Sequence, residues 1–379
     1  MLYLHIPFCQ SRCIYCDFYS TTASAAWRPR FVEALVSELY RRSNYLPAAE
    51  AGSTTRRPLR SVYFGGGTPS QLTDAEVERI FSAIRDVFEI RPQAEVTFEA
   101  NPDDITPQRV AALRQLGVNR VSLGVQSFSD PLLRLLRRRH SAEGARHAVE
   151  MLVEGGIENV SIDLIYGLPQ QSLEDFERDC RVALSLPVSH LSSYALSVEP
   201  DTPLGRMVAA GTLQPADEDL TLAQYEVLLD ATDKAGFDHY EISNFCRPGC
   251  EARHNSGYWQ GIPYLGLGPG AHSYSGTSRR FNLPDLRAYI EAKDDVPHET
   301  ETLSLTERVN EFTFTALRTR RGLDLGLLRE KFSAELAETV RREARRSLTN
   351  GLLEVEGETL RLTRRGLFVS NDVMSDLML

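Results

Sequence analysis

Lysine is nearly absent from this chain. Of 42 basic residues only Lys234, Lys293 and Lys331 are lysines, and none follows a convincing strand of the pattern described below. That counts against Schiff-base and pyridoxal-phosphate chemistry, which needs a buried lysine. Long apolar runs are lacking too: none approaches the ~18 residues of a membrane span. No basic stretch leads into an apolar one at the start, where a strand-like segment opens at Leu2, so a cytoplasmic location is the default expectation. There is no excess of positive charge. A net charge of −10 argues against a general nucleic-acid binder, while leaving room for a local basic patch. Six cysteines in 379 residues are too few for a disulfide scaffold, and a tight cluster of them points to metal or redox chemistry. Three of the six, Cys9, Cys13 and Cys16, do cluster, in a C-x3-C-x2-C run within His5–Ser20. A fourth clustered thiol is missing; Phe18 stands two residues after the last.

What is present is a repeating theme over the first 200 or so residues: apolar strand, polar or glycine-rich loop, amphipathic helix. "LYLHIP" reads as a strand, and a helix over 31–42 puts Phe31, Leu35 and Leu39 on one face. The stretch 47–60, rich in Ala, Gly, Ser and Thr, reads as an exposed loop. "SVYF" runs into Gly65-Gly66-Gly67, followed by a helix opened by a Thr73/Glu76 capping box. "EVTFEANP", "RVSLGVQSF", "NVSIDLIYGLP" and "HLSSYALS" are further strands; Thr106, Pro107 and Gly117 bracket the helix after the first of these. Cys180 falls on the apolar face of a helix and reads as core. Strands alternating with helices imply a parallel sheet, and six units favour a partial (β/α) barrel of the TIM type. Glu99, Gln126 and Asp163 interrupt apolar strands at or near their carboxyl ends. Such groups are costly there unless they meet a partner, and in a parallel barrel those ends converge on the active-site face.

After about residue 201 the pattern loosens. A helix near 220–234 precedes "HYEISNFCRPGCEARHNSGYWQGIPYLGLGPGAHSY", an ordered binding loop by composition. Helices at 307–319, 325–332 and 338–349, then a hairpin with its turn near 356–358 and a last helix after Thr363, suggest a winged-helix-like α+β domain. Its arginines, Arg341, Arg342, Arg345 and Arg346, are read as a solvated face or lid in preference to a DNA-binding one. The division is 1–235, 236–300 and 301–379.

Thiolates select zinc, copper(I) or iron–sulfur clusters. Structural zinc wants four ligands, and Cys246 and Cys250 lie far away in sequence. A four-iron cluster on three thiolates leaves one iron open to a substrate or cofactor. The triplet, with Tyr15 just before its last cysteine and "GGGTP" after the second strand, resembles the signature of the radical S-adenosylmethionine (SAM) superfamily. That resemblance implies a 4Fe-4S cluster on Cys9, Cys13 and Cys16. It also implies SAM chelated at the open iron, its reductive cleavage to a 5′-deoxyadenosyl radical, and Gly66, Gly67 and Thr68 lining the cofactor.

"YLHIPFC", "CDFYS", "FGGGTPS", "FEANPDDI", "LGVQSF", "IDLIYGLPQQ" and "HNSGYW" together resemble the oxygen-independent coproporphyrinogen dehydrogenase-like group over most of the chain. Carried over, this puts Tyr3 and Glu99 at SAM, and Gln126, Arg138 and Asp163 around a neighbouring polar ligand, a second SAM in the dehydrogenase. The dehydrogenase pattern has a cysteine where Phe18 stands and a segment before its first strand. Both departures resemble the heme-chaperone branch instead, whose HNxxYW motif is His254, Asn255, Tyr258 and Trp259. The branch implies heme as cargo, heme-accepting proteins such as respiratory or storage hemoproteins as partners, and peripheral contact with membrane-bound acceptors. Imidazole is a common heme ligand and aromatics suit a flat porphyrin; the other reading of His254 is a hydrogen-bonded loop histidine. Cys246, Cys250 and His254 have helical spacing, but Pro248-Gly249 opposes a helix there. The alternative activity is decarboxylation of coproporphyrinogen III.

Overall fold

The computed structural model describes residues 1–23, 25–46 and 56–379. Its centre is a nine-stranded sheet. Six strands come from the repeating units: β1 Leu2–Ile6, β2 Arg57–Gly66, β3 Phe88–Ala100, β4 Arg120–Gln126, β5 Asn159–Tyr166 and β6 His190–Ala195. They lie side by side in sequence order, each parallel to the next. Three short strands extend the edges. β7 Asp238–Glu241 and β8 Asn244–Cys246 add antiparallel beyond β6, and β9 Leu265–Leu267 adds parallel beside β1. The order runs from β7 to β9 without closing, a partial barrel.

Side chains alternate between the two faces of each strand. Leu2, Leu4, Ile6, Val62, Phe64, Val96, Phe98, Val121, Leu123, Val160 and Ile162 are buried in the main core with the apolar faces of the helices. The alternate positions (Tyr63, Glu99, Ser122, Asp163, Ser192) are polar and line the interior. The Thr73/Glu76 capping box forms, and the helix Pro107–Leu116 has its Thr106 cap and a left-handed Gly117 at its end. Cys180 is buried in the helix Leu173–Ser185.

Some expectations are corrected. Of the loop read over 47–60, residues 47–55 lie outside the described residues, and 57–60 are strand. β2 begins early because β3 does as well: Arg57–Leu59 pair with Phe88–Ile90 before the register shifts at Ser61. The segment 338–349 is two helices, Ala334–Glu343 and Arg345–Thr349. β9 has three residues, too few to show a period.

A buried polar hub fastens the region after the barrel to the first helix, Arg28–Arg41. Glu38 accepts from Arg42 Nη1 at 2.9 Å, Asn282 Nδ2 at 2.8 Å, Tyr289 hydroxyl at 2.6 Å and Gly268 N–H at 2.9 Å. Arg42 also donates to Gly266 O and Ser273 Oγ. The C-terminal region has its own core, including Val309, Leu317, Leu328, Val340, Leu360 and Met374. It surrounds a three-stranded antiparallel sheet of Leu323–Asp324, Thr359–Leu362 and Leu353–Glu356. The two-residue strand adds to the hairpin read from the sequence. Arg341, Arg342 and Arg346 each reach an acidic neighbour at the surface, pairs that contribute little.

Candidate functional site

The triplet sits on the loop leaving β1, above the carboxyl ends of the strands. Backbone bonds pin the loop: Thr21 N–H to Pro7 O at 2.7 Å, Cys9 N–H to Thr21 O at 2.9 Å and Gly67 N–H to Ile6 O at 2.8 Å. Below it, His5 Nε2 lies 2.9 Å from Tyr19 O, and the Tyr19 hydroxyl accepts from Leu286 N–H at 2.7 Å. The segment after the barrel thereby braces the loop. Cys9, Cys13 and Cys16 carry free, partly buried thiols on one cavity of about 420 Å³. Cys9 Sγ lies 3.4 Å from Thr68 Oγ1, and Arg138 Nη1 donates to Cys13 Sγ at 3.3 Å.

This donor set fits an iron–sulfur cluster. The thiols are soft ligands on a short loop. Among the described residues no three His, Cys, Asp or Glu side chains converge on a single metal ion, whereas a cubane takes one thiolate per iron and needs them apart. Burial raises the Cys9 thiol and pushes Cys16 up to about 11. Thiols held protonated in this way ionise when a metal cation arrives.

The strand ends build the walls. Gly66 has φ +108°, and a Cβ there would stand 2.8 Å from the His5 ring. A Cβ on Gly67 would meet the Pro7 carbonyl carbon at 2.9 Å. These glycines let β2 tuck under the cysteine loop while both, with Thr68, still border the cavity. Glu99 accepts from Tyr63 hydroxyl at 2.6 Å. Burial raises its carboxyl to about 7, the Asp163 charge adding to the rise; the Tyr63 and Gly66 hydrogen bonds and the Arg120 charge oppose it. Asp163 is raised by burial to about 6 against hydrogen bonds from Ser192 and Ser122. Gln126, after a bulge in β4, has φ +72°, a left-handed conformation that non-glycine residues rarely adopt. Arg138 links Cys13 to Asn101 Oδ1, 2.7 Å from Nη2, and to Gly124 O. Tyr15 completes this wall against Ile14 and its apolar neighbours. Phe18, 65% exposed, is at the mouth.

The structure gathers Cys9, Cys13, Cys16, Tyr15, Gly66, Gly67, Thr68, Glu99, Gln126, Arg138, Asp163 and Asn255 around this cavity. The other residues singled out from the sequence lie elsewhere. Tyr3 packs behind Tyr63, with its hydroxyl 3.1 Å from His5 Nδ1. His254, Tyr258 and Trp259 share the helix Arg253–Trp259 with Asn255, packed against β2 beneath the barrel. His254 is 1% exposed. Its Nδ1 lies 2.9 Å from Ser61 Oγ and its Nε2 2.8 Å from Tyr258 hydroxyl. Both ring nitrogens are engaged, so as placed here neither His254 nor Tyr258 presents a ligand to a cavity. Trp259 faces a second cavity of about 1700 Å³, beside Arg318, whose guanidinium lies 4.7 Å from its ring centroid. Cys246 ends β8, and a Pro248-Gly249 turn separates it from Cys250, so no helix carries Cys246, Cys250 and His254 together. Sequence reasoning missed Arg120, Ser122 and Ser192 of the inner face. Strand alternation with Glu99 and Asp163 would have found the two serines.

Burial, with the Met1 amino and Arg120 charges adding, lowers His254 from 6.5 to about 3. A base depressed on folding contributes stability fully present above pH 6.5 and lost as pH falls toward 3. Lowering pH from 7 to 5 should therefore cost the wild type about 2 kcal/mol more than His254→Gln. Equal pH dependence in urea melts of the two proteins would refute this burial account.

A family model for the Radical SAM superfamily matches residues 3–183, and one for the HemN C-terminal domain matches residues 303–369. The chain is 39% identical to the heme chaperone HemW of Mycobacterium tuberculosis, over all of this chain and 94% of that protein. It is 32% identical to the heme chaperone HemW of Bacillus subtilis, over 98% of this chain and 97% of that one. Among solved structures, coproporphyrinogen III oxidase (HemN) from Escherichia coli superposes with a TM-score of 0.85 at 23% identity, covering 100% of this chain and 89% of that one. At that identity the likeness speaks for the fold alone.

Proposed function

The chain belongs to the heme chaperone HemW family of the radical SAM superfamily, and from that premise we propose that it binds heme and delivers it to heme-accepting proteins. One observation carries the reading. The similarity to heme chaperones runs end to end, through the cluster loop, the segment after the barrel and the C-terminal sheet, with Phe18 where the dehydrogenase pattern has a thiol.

In this reading residues 1–235 hold the cofactors, 236–300 form the post-barrel heme segment and 301–379 close the molecule from below. Cys9, Cys13 and Cys16 hold the 4Fe-4S cluster, which when bound supplies one iron with an open position for SAM. Arg138 donates to the Cys13 sulfur and holds that side of the loop against the strand ends. Glu99 and Asp163 give the cavity two carboxyls whose protons a bound cation would displace, drawing their pKa values back down. Gly66, Gly67, Thr68 and Gln126 shape the cofactor's edge. Tyr3 acts through Tyr63 rather than by contact. Of the HNxxYW residues, Asn255 and Trp259 are the two at cavity walls; axial ligation by His254 requires that it leave Ser61 and Tyr258. No helix among the described residues is long and apolar enough to cross a membrane.

The test is a heme titration of anaerobically purified protein with and without its cluster. A saturable Soret shift is the expected result. The same protein incubated with SAM, reductant and coproporphyrinogen III should yield no protoporphyrinogen. Turnover to that product, or no saturable heme binding, overturns the chaperone reading.

A further inference from the structure

We infer that Arg120, at the floor of the cluster cavity, is an anchor for a carboxylate of a bound ligand. The inference rests on the chaperone reading for one of its two candidate ligands, heme.

Arg120 opens β4 and is 2% exposed, yet it borders the cavity. Its Nε is buried without a hydrogen-bond partner. Among the described residues no carboxylate stands within ion-pair distance of its guanidinium. Arg138 Nε also lacks a partner, but the other buried arginines of the barrel have partners at their terminal nitrogens. Arg42 has Glu38, Gly266 O and Ser273, and Arg138 has Asn101, Gly124 O and Cys13. A guanidinium is always charged, and a buried charge without a partner is strongly unfavourable. Such a residue is retained when something absent from the folded chain alone completes it.

Fixed counter-charge inside the barrel is weak. Glu99 and Asp163 feel the Arg120 charge from a distance without pairing with it, and burial holds both partly protonated near neutrality. The remaining neighbours are neutral. His190 is lowered well below its ordinary value by burial and by Arg120, with its ring nitrogens at Ser161 and Tyr240 hydroxyls. His254 is held neutral as described. A permanent cation thus sits under neutral rings, with Glu99 and Asp163 beyond pairing distance, facing the cavity.

A planar, five-donor fork takes a carboxylate bidentately. Two ligands of the proposed function carry one: heme through its propionates, and a SAM other than the one chelated at the cluster's iron, whose amino-acid carboxylate is free. The shared chemistry is the carboxylate, and the experiment separates the sources.

Wild type, Arg120→Met and Arg120→Lys, each with its cluster, are titrated anaerobically with heme, with heme dimethyl ester and with SAM. Ligand-free melting temperatures are recorded alongside. Removal of the anchor should weaken binding about 10- to 100-fold, the span for loss of a charge-assisted pair, with partial recovery in Arg120→Lys. Weakened heme binding with the ester unaffected identifies a propionate. Weakened SAM binding with heme unaffected identifies the amino-acid carboxylate. The ligand-free Arg120→Met protein should melt at or above the wild-type temperature, because an unpaired buried charge has been removed. Wild-type affinity of Arg120→Met for both heme and SAM sinks the anchor alone, as does lost affinity with no recovery in Arg120→Lys. If the wild type itself binds neither ligand, the chaperone reading and the anchor fall together.

Discussion

Serine at Cys9, Cys13 and Cys16 together should leave a folded protein that takes up no iron. After anaerobic reconstitution the wild type should show sulfur-to-iron charge-transfer absorbance, and the triple variant none. The effect is all-or-none because a serine hydroxyl is a poor substitute for the thiolates that hold an iron–sulfur cluster. The fold should survive, since backbone bonds between Pro7, Cys9 and Thr21, not the sulfurs, hold the loop. Far-ultraviolet circular dichroism would record that. Charge-transfer bands persisting in the triple variant would remove the cluster from this loop, and zinc in oxygen-free wild-type protein would replace it with a different metal site. Adding SAM to the reconstituted wild type should perturb the cluster's spin signal, because three thiolates leave an iron for it.

Truncating Glu38 should have the largest effect on stability. The carboxylate is fully buried and accepts from four groups on three separate parts of the chain. Glu38→Ala strands the Arg42 guanidinium and leaves the Asn282, Tyr289 and Gly268 donors short of an acceptor. Breaking a buried pair from one side costs about 3–5 kcal/mol. Glu38→Gln, which keeps one acceptor oxygen, should lose less. Urea unfolding followed by tryptophan fluorescence gives the comparison. A loss below about 1 kcal/mol, the worth of a surface pair, would mean that the hub does not hold the post-barrel segment to the first helix. The hub also matters to the site. The segment it fastens carries Leu286, whose N–H holds Tyr19 under the cysteine loop.

The range over which each interaction acts decides how much of it a sequence can show. The parallel strands were legible because β1 to β6 alternate with helices of ordinary length and carry local signals, such as the Thr73/Glu76 box and the Thr106–Gly117 bracket. The thiol triplet was legible because its cysteines lie within eight residues of one another. Glu99, Gln126 and Asp163 announced themselves as polar residues in apolar strands. The Glu38 hub and the pairing of β9 with β1 were not legible, since their partners lie more than 200 residues away in the chain. Arg120 was hidden for a related reason: at the head of a strand a basic residue looks like a solvent-facing end.

The sequence by itself determined the donor set: three clustered cysteines with no fourth beside them, set at the head of a parallel α/β chain, with the polar residues that line its inner face. Tertiary structure alone decided what those residues meet. It closed His254 between Ser61 and Tyr258, set Tyr3 behind Tyr63 and left Arg120 buried without a counter-charge. Spacing along a chain fixes which donors can share a loop; burial and long-range pairing fix which of them remain available to a ligand.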